Sequence, residues 1–460
     1  MPSEHLTESR QLLTGWGGTA PTAAEIRRPV QPGDVDPLLA SAPPRGVLAR
    51  GLGRSYGDAA QNAGGRVLLA TGLDRVRSLD VATGVVDVEA GMSLHRLMCA
   101  TLPLGWFPMV TPGTRYVTVG GAVAADIHGK NHHVDGSFCN HVRSIRLHSP
   151  AAGPLDLHQD EDGFWATAGG MGLTGVVASA VLQLQPVETS RMMVDTERCR
   201  DLDDVMDRMM ASDESYQYSV AWIDCLARDG QLGRSVLTRA THARLDDLPA
   251  SEQADPLRFA PGQRVKAPSW MPSGLLNHLS VAAFNELWFR KAPRCERRRV
   301  SAMSSFFHPL DAVAGWNRMY GRHGFVQYQF VVPFGAEDTV RAAVEELSRA
   351  RCASFLSVLK RFGKGNRGPL SFPMAGWTLA IDLPASADGL PELLDRLDVL
   401  VVEAGGRVYL AKDSRMRPEL LADMYPDLPQ WQKVRDQLDP DGRMQSDLAR
   451  RVWTLTGRTP

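Results

Sequence analysis

The chain has 460 residues, with 43% hydrophobic, 22% charged and 7% aromatic content and a formal net charge of −1. These proportions exclude a disordered tail, a collagen and a disulfide-stapled miniprotein, and a balance of 51 Lys plus Arg against 52 Asp plus Glu gives no general attraction to nucleic acid. One compact core stops growing at about 250–300 residues, so two domains are expected.

The chain opens with short strands separated by glycine turns. Residues 46–50 read as a strand running into Gly51-Leu-Gly-Arg-Ser-Tyr-Gly-Asp58, and residues 66–70, 76–80 and 84–90 as further strands. Residues 93–101 read as a helix capped by Ser93, with Leu94, Leu97 and Met98 as its apolar stripe. A two-glycine turn follows at Thr118-Val-Gly-Gly121, then a hairpin over 142–147 and 155–158, a glycine-rich stretch over 164–175 and a strand over 176–184. Near residue 190 the character changes. A helix over 202–210, a strand over 216–223, strands over 325–332, 378–383 and 407–410, and helices over 340–349 and 390–403 suggest an antiparallel sheet with helices on one face. Residues 240–300 read as mostly irregular, with an apolar helical stretch over 275–289. Residues 411–460 are helical and charged, lack a core of their own and are expected to pack on the first domain.

Cys99, Cys139, Cys199, Cys225, Cys295 and Cys352 are dispersed without a C-x-x-C pair. They read as reduced, mostly buried thiols rather than a disulfide framework or zinc site. His128, His132 and His133 lack a placed carboxylate or Cys partner, so no metal is expected. No run approaches the ~20 apolar residues of a membrane span. The polar first ten residues lack a signal core, so a cytoplasmic protein is expected, with the membrane surface and the periplasmic side left open.

Gly51, Gly53 and Gly57 follow G-x-G-x-x-x-G, and a polar segment rather than a helix follows them, so a Rossmann reading is poor. Glycine turns still let backbone N–H groups converge on an anion. Gln327 and Gln329 share one face of a strand, where they either form an exposed polar face or bind hydroxyl groups. Lys412 is either a surface lysine at a strand end or, if buried, a base or an anion partner. Lys360 has the character of a phosphate contact, and Trp222, Phe362 and Trp377 that of apolar walls or core. The helical stretch ending at Trp288 and Phe289 precedes Arg290, Lys291, Arg294, Arg297, Arg298 and Arg299. The segment 270–300 therefore reads as a peripheral membrane contact or as a solvated loop.

Arg50-Gly-Leu-Gly-Arg-Ser-Tyr-Gly-Asp58, Thr118-Val-Gly-Gly-Ala122 and Phe164-Trp-Ala-Thr-Ala-Gly-Gly-Met-Gly-Leu-Thr-Gly-Val176 resemble the vanillyl-alcohol-oxidase-type flavoproteins. That resemblance implies an α+β fold: a two-lobed FAD-binding domain with an inserted antiparallel-sheet substrate domain. The domains implied are 6–190 completed by 406–460, and 191–405 between them. A closer resemblance, to the decaprenylphosphoryl-β-D-ribose 2-oxidase family, rests on Asp126-Ile-His-Gly-Lys-Asn-His-His133, Gln327-Tyr-Gln-Phe330, Gly368-Pro-Leu-Ser-Phe-Pro373, Tyr409-Leu-Ala-Lys-Asp-Ser414 and Ser446-Asp-Leu-Ala-Arg-Arg451. It runs from Thr14 to Arg451.

This resemblance implies non-covalent FAD. Ala49, Arg50, Gly51, Leu52, Gly53, Arg54, Ser55, Tyr56, Gly57, Asp58 and Ala59 would hold it at the first turn. Gly113, Thr118, Val119, Gly120, Gly121, Ala125, Asp126, Ile127, His128, Val177 and Tyr409 would complete the site. Lys412 and His128 are implied as catalytic, and Tyr56, Lys130, Trp222, Gln327, Gln329, Lys360, Phe362, Thr378 and Ala380 as substrate-binding. Thr378, Ala380 and Phe307 replace the Asn, Cys and Tyr of some members, which is expected to alter pocket polarity. The implied reaction is FAD-dependent oxidation of the 2-hydroxyl of a polyprenyl-phosphoryl-β-D-ribose. A partner NAD(P)H-dependent keto-sugar reductase would complete an epimerisation to the arabinose form used in cell-wall arabinan synthesis. The alternatives are a same-fold FAD oxidoreductase of a soluble sugar, alditol or nucleoside intermediate, and a non-catalytic flavin- or partner-binding protein; fold alone does not separate these readings.

Overall fold

The computed structural model describes residues 9–263, 265–268, 274 and 276–453. Three main sheets organise the chain. The first has four strands in the order Ser9–Leu13, Thr22–Arg27, Arg66–Leu69, Val47–Arg50, and its last two pairings are parallel. The second has six strands, with Val176–Pro186 at its centre between Val85–Glu89 and Val142–Ser149. The third is antiparallel throughout and has eight strands. Their order is Cys295–Ala302, Arg191–Cys199, Ser235–His242, Tyr218–Ile223, Ser357–Phe362, Gly376–Pro384, Phe325–Pro333, Arg407–Val408.

Alternation along the strands of the third sheet explains its two faces. Tyr328, Phe330 and Val332 share one face with Leu379, Ile381 and Leu383, and all are buried. Helices Glu337–Arg349 and Leu390–Glu403 pack there through Val340, Val344, Leu347, Leu394, Leu397 and Val401. The opposite face carries the amides and lysines described below.

The C-terminal residues return to the first sheet. The N–H of Val47 donates to Arg443 O (2.7 Å), and that of Gln445 to Val47 O (3.0 Å). Helix Leu428–Leu438 buries Trp431, whose indole donates to Ala166 O (2.9 Å).

Several local expectations are corrected. Thr118 does not open a free turn but caps the helix Val119–Ala124, its hydroxyl accepting from the Gly121 N–H. The glycine-rich 164–175 stretch overlaps the end of the helix Asp162–Thr167. Residues 240–300 are more regular than they read: beside the expected helical stretch, seen as His278–Lys291, they hold the start of the edge strand Cys295–Ala302. In the 270–300 segment, residues 270–273 and 275 lie outside the described residues, as do 6–8 and 454–460 of the expected first domain. Among the described residues, no helix is long and apolar enough to cross a membrane.

Candidate active site

The glycine clusters meet one another because their glycines allow backbones to touch. A Cβ on Gly51 would lie 2.1 Å from the Thr118 hydroxyl, and one on Gly57 would lie 2.0 Å from Asp413 O. The first turn is thus pressed between the Val119–Ala124 helix and the loop that carries Lys412. Among the described residues, the N–H groups of Gly51 to Ser55 have no protein partner. The Thr118-Val-Gly-Gly segment is different. Its Val119 and Gly120 amides donate to Met92 O and Ala90 O, so they anchor the helix to the second sheet. The third cluster locks onto the same helix, with Gly169 N donating to Val123 O and Met171 N to Ala124 O.

Directly after this helix, Asp126 adopts the left-handed region (φ 38°) and is fully buried. Its carboxylate accepts from the hydroxyls of Ser137 and Ser371, from the Cys139 N–H and from the Asn366 amide. That network turns the chain so that His128 points into an aromatic cage of Phe362, Phe372 and Tyr409, with ring centroids 4.9, 5.5 and 5.2 Å away. The Tyr409 hydroxyl donates to Ala125 O (2.7 Å) and closes the cage.

The His128 tautomer follows from its neighbours. The Thr378 hydroxyl donates to Phe330 O (2.8 Å), so it accepts from the Gln329 amide nitrogen (2.9 Å). That nitrogen's second hydrogen reaches His128 Nε2 (3.0 Å). Nε2 therefore accepts and Nδ1 carries the proton. Nδ1 is buried without a protein partner. Burial, and then the charges of Lys360 and Lys412, hold the imidazole well below its ordinary pKa, which keeps it neutral.

Strand register assembles the rest. Gln327 faces Asp382, Gln329 faces Ala380, Lys360 faces Thr378, Val358 faces Ala380, and Trp222 faces Val358. Residues paired directly across strands point to the same face. Gln327 and Gln329 are buried, so they do not form an exposed polar face. Trp222 is half-buried, its indole donating to Phe355 O (3.1 Å).

Lys130, Lys360 and Lys412 are each partly exposed beside this face. Lys130 donates to Phe306 O and lies 4.3 Å from that ring's centroid; Lys360 lies 5.6 Å from the Phe362 ring and Lys412 5.4 Å from the Tyr56 ring. Burial lowers the pKa of Lys130 and Lys360 to about 7 each. Burial also lowers that of Lys412, while Asp382 opposes the change. Asp382 is a site residue that the sequence reading missed. It is fully buried, burial raises its pKa, and its Oδ1 accepts from the Gln327 amide. The period-two spacing Thr378, Ala380, Asp382 was the available signal.

Comparison with known proteins fits this geometry. A sequence-family profile described as "FAD binding domain" matches residues 26–155, and one described as "D-arabinono-1,4-lactone oxidase" matches residues 391–452. The decaprenylphosphoryl-beta-D-ribose oxidase of Mycolicibacterium smegmatis is 44% identical over 98% of this chain and 99% of its own length. The chain belongs to the decaprenylphosphoryl-β-D-ribose oxidase family. An uncharacterized Streptomyces coelicolor protein is 42% identical over 78% of this chain and all of its own length. The L-gulono-1,4-lactone dehydrogenase of Mycobacterium tuberculosis is 24% identical over 96% of this chain and 99% of its own. This member of the oxidase family is therefore an FAD-dependent oxidoreductase.

Its residues fit that cofactor. The unpartnered amides of Gly51–Ser55, the buried Nδ1 of His128 and the buried Nε of Arg54, whose guanidinium stacks 3.8 Å from the Trp16 ring, are donors in search of acceptors. A Cβ on Gly113 would meet nothing within 4 Å, so that turn leaves open space. The fit is weaker at other expected positions. Asp126 already accepts four hydrogen bonds and acts as a chain-turning residue. Val177 pairs with Leu147 within the core of the second sheet. Phe307 is buried against Tyr218 and Phe107 (centroids 4.9 and 5.3 Å), so its ring adds to the core and not to pocket polarity. Among the described residues, no group of three or more His, Cys, Asp or Glu is placed to hold a metal.

Proposed function

We propose that the protein oxidises the 2-hydroxyl of a polyprenyl-phosphoryl-β-D-ribose to the 2-keto sugar. The observation that carries this reading is the face on which two buried amides, Gln327 and Gln329, stand among Lys130, Lys360 and Lys412. Amides suit sugar hydroxyls. Lys130 and Lys360 supply cations of the kind that suits a phosphodiester. FAD, when bound, supplies the hydride acceptor.

The protein's own residues do the rest. Lys412 takes the hydroxyl proton, and it is held for that by three backbone ties: Tyr409 N to Gln329 O (2.9 Å), Lys412 N to Tyr409 O (2.9 Å), and Tyr56 N to Ala411 O (3.0 Å). Neutral His128 donates from Nδ1. Lys130 and Lys360 hold the phosphoryl group. Trp222 and Phe362 wall the sugar, and Ala380 leaves room opposite Gln329. The product is a ketone, so a partner NAD(P)H-dependent reductase returns it as the arabinose epimer for cell-wall arabinan synthesis. In this reading residues 6–190 and 406–460 form the FAD domain and 191–405 the substrate domain. Anaerobic addition of a polyprenyl-phosphoryl ribose should bleach the bound flavin, and free ribose should not; bleaching by free sugars instead would move the reading to a soluble substrate.

The lipid portion has a matching surface. Helix His278–Lys291 exposes Leu279 (78%), Leu287 (67%), Trp288 (45%) and Phe284 (41%). The basic run beside it is less available than its sequence implies. Arg290, Arg297, Arg298 and Arg299 pair with Glu286, with Asp195 and Glu197, with Asp247 and with Glu296. The apolar helix face, not the arginine cluster, is the surface that rests on a membrane. Leu279→Glu with Leu287→Glu should reduce co-sedimentation with phosphatidylglycerol vesicles. Unchanged co-sedimentation would remove the membrane role from this helix.

A further inference from the structure

Helix Leu390–Glu403 buries an apolar stripe, Leu390, Leu393, Leu394, Leu397 and Val401, against the side of the eight-stranded sheet opposite the site. Asp398 sits within that stripe and is fully buried. Both its oxygens are taken: Oδ1 accepts from the Tyr328 hydroxyl (3.0 Å) and Oδ2 from Arg415 Nη1 (2.9 Å). Arg415 also pairs with Asp395 on the same helix. Each partner of Asp398 leads back to the site. Tyr328 stands between Gln327 and Gln329 on strand Phe325–Pro333, with its side chain on the opposite face. Arg415 lies three residues beyond Lys412. Its own N–H donates to Asp413 Oδ1 (3.0 Å), as does that of Met416 (2.8 Å). The strand that carries the amides and the loop that carries Lys412 are therefore tied twice. In front, the Tyr409 N–H donates to Gln329 O (2.9 Å). Behind, Tyr328, Asp398 and Arg415 join them through the helix.

Burying a charge on an apolar stripe is costly even when the charge is paired, and an apolar side chain at position 398 would serve the packing as well or better. What the pair supplies is register. A guanidinium that must meet two carboxylates has one seat on this helix, whereas an apolar contact tolerates sliding. We propose that Arg415 and Asp398 are positioning residues for Lys412, fixing its loop against the strand that carries Gln327 and Gln329. This rests on the reading of Lys412 as the base and of the two amides as the sugar contacts. A base acts only on a hydroxyl held within hydrogen-bond reach, and a displacement of about 1 Å costs up to about a hundredfold in rate. Lys412 stands on a loop and the amides on a strand, so their separation depends on what joins the two elements. The Arg415–Asp398 pair joins them from the helix-covered side of the sheet, which leaves the amide face to the substrate. Arg451 ties the same loop, through Asp413 (2.8 Å), to Asp58 of the first glycine turn (2.9 Å). Lys412 is thereby held in register with the amide strand on one side and with that turn on the other.

The test replaces the buried polar set with apolar residues in the FAD-loaded protein: Tyr328→Phe, Asp398→Leu and Arg415→Met together. Such a replacement keeps or raises stability, so a melting temperature at or above that of the wild type separates loss of position from loss of fold. Asp398→Asn, which keeps the side-chain shape and removes the charge, is the second variant if the triple substitution does not fold. The first readout needs no substrate. Amide hydrogen exchange over residues 409–416, followed by mass spectrometry, should be at least about tenfold faster in the triple variant, with strand Phe325–Pro333 still protected. The second readout is anaerobic flavin reduction by the lipid-linked sugar. Its maximal rate should fall by about 10–100-fold, with the half-saturating concentration little changed. The same substitutions made in Lys412→Ala should add nothing, because they act through that lysine. Wild-type exchange over 409–416 in a folded variant overturns the proposal, and so does a full further loss of rate in Lys412→Ala, which marks a general structural effect. The Lys412→Ala protein alone distinguishes the two ways of failing. Wild-type reduction there sinks the base reading, whereas slow reduction there beside a wild-type rate in the triple variant sinks the positioning role.

Discussion

Lys412 concentrates the chemistry at the scale of single residues. A lysine on a strand-end loop reads in sequence as a solvated charge, and its three-dimensional company is what supports its proposed role as a base. Burial pushes its pKa down to about 8, with Asp382 pulling against that shift. The proton-accepting form is the neutral amine, so kcat should climb with pH up to about 8 and then level. At pH 6 it should be roughly a hundredfold below the plateau. A profile that falls as pH rises from 6 to 8 would contradict a lysine base. Lys412→Ala should keep FAD, as read by visible absorbance, while flavin reduction slows by at least about a hundredfold. The glutamines were legible as a pair because their spacing is that of one strand face. Asp382 was not, because a lone acid in a strand ordinarily marks a solvated edge, and its burial depends on the pairing with Phe325–Pro333 that no local pattern reveals.

Among the elements, the C-terminal helix Asp447–Val452 does more than cover the first sheet. Its Arg451 reaches both carboxylate oxygens of Asp58 (2.9 Å each), the Asp413 carboxylate (2.8 Å) and Met416 O (3.0 Å). One guanidinium therefore staples the first glycine turn to the loop that carries Lys412, the same junction where Gly57 meets Asp413 backbone to backbone. Arg451→Ala leaves two largely buried carboxylates facing each other and should cost about 3 kcal/mol. The expected result is a lower melting temperature together with weaker FAD retention on gel filtration. An unchanged melting temperature would show that the staple is decorative. Sequence reading found the glycine turns but did not distinguish what each of them does. Thr118-Val-Gly-Gly looks like a second open nest, yet its amides are used in seating a short helix, and a glycine pattern alone does not distinguish close packing from anion binding. Strand Cys295–Ala302 was hidden for a different reason. Its arginines hide the alternation, and their acid partners come largely from elsewhere: Asp195 and Glu197 of the adjacent Arg191–Cys199 strand for Arg297, and Asp247 for Arg298.

For the whole molecule, near-neutral charge conceals a strongly uneven interior. Three lysines converge on one sheet face, while much of the arginine-rich surface beside the exposed helix is paired with local acids. The fold keeps these apart. The glycine turns and the His128 cage lie at one side of the site, and the amide and lysine face of the eight-stranded sheet closes the other. The C-terminal return couples the two. The proposed substrate, a lipid-linked sugar phosphate, assigns the amides to hydroxyls, the cations to the phosphoryl group and the exposed apolar helix to a membrane surface. The most direct test is anaerobic titration of the purified yellow protein with polyprenyl-phosphoryl ribose, followed by flavin absorbance. Stoichiometric bleaching by the lipid-linked sugar, absent with free ribose and absent in Lys412→Ala, is the expected result. A flavin that stays oxidised with the lipid-linked sugar, or that bleaches equally in Lys412→Ala, would contradict it.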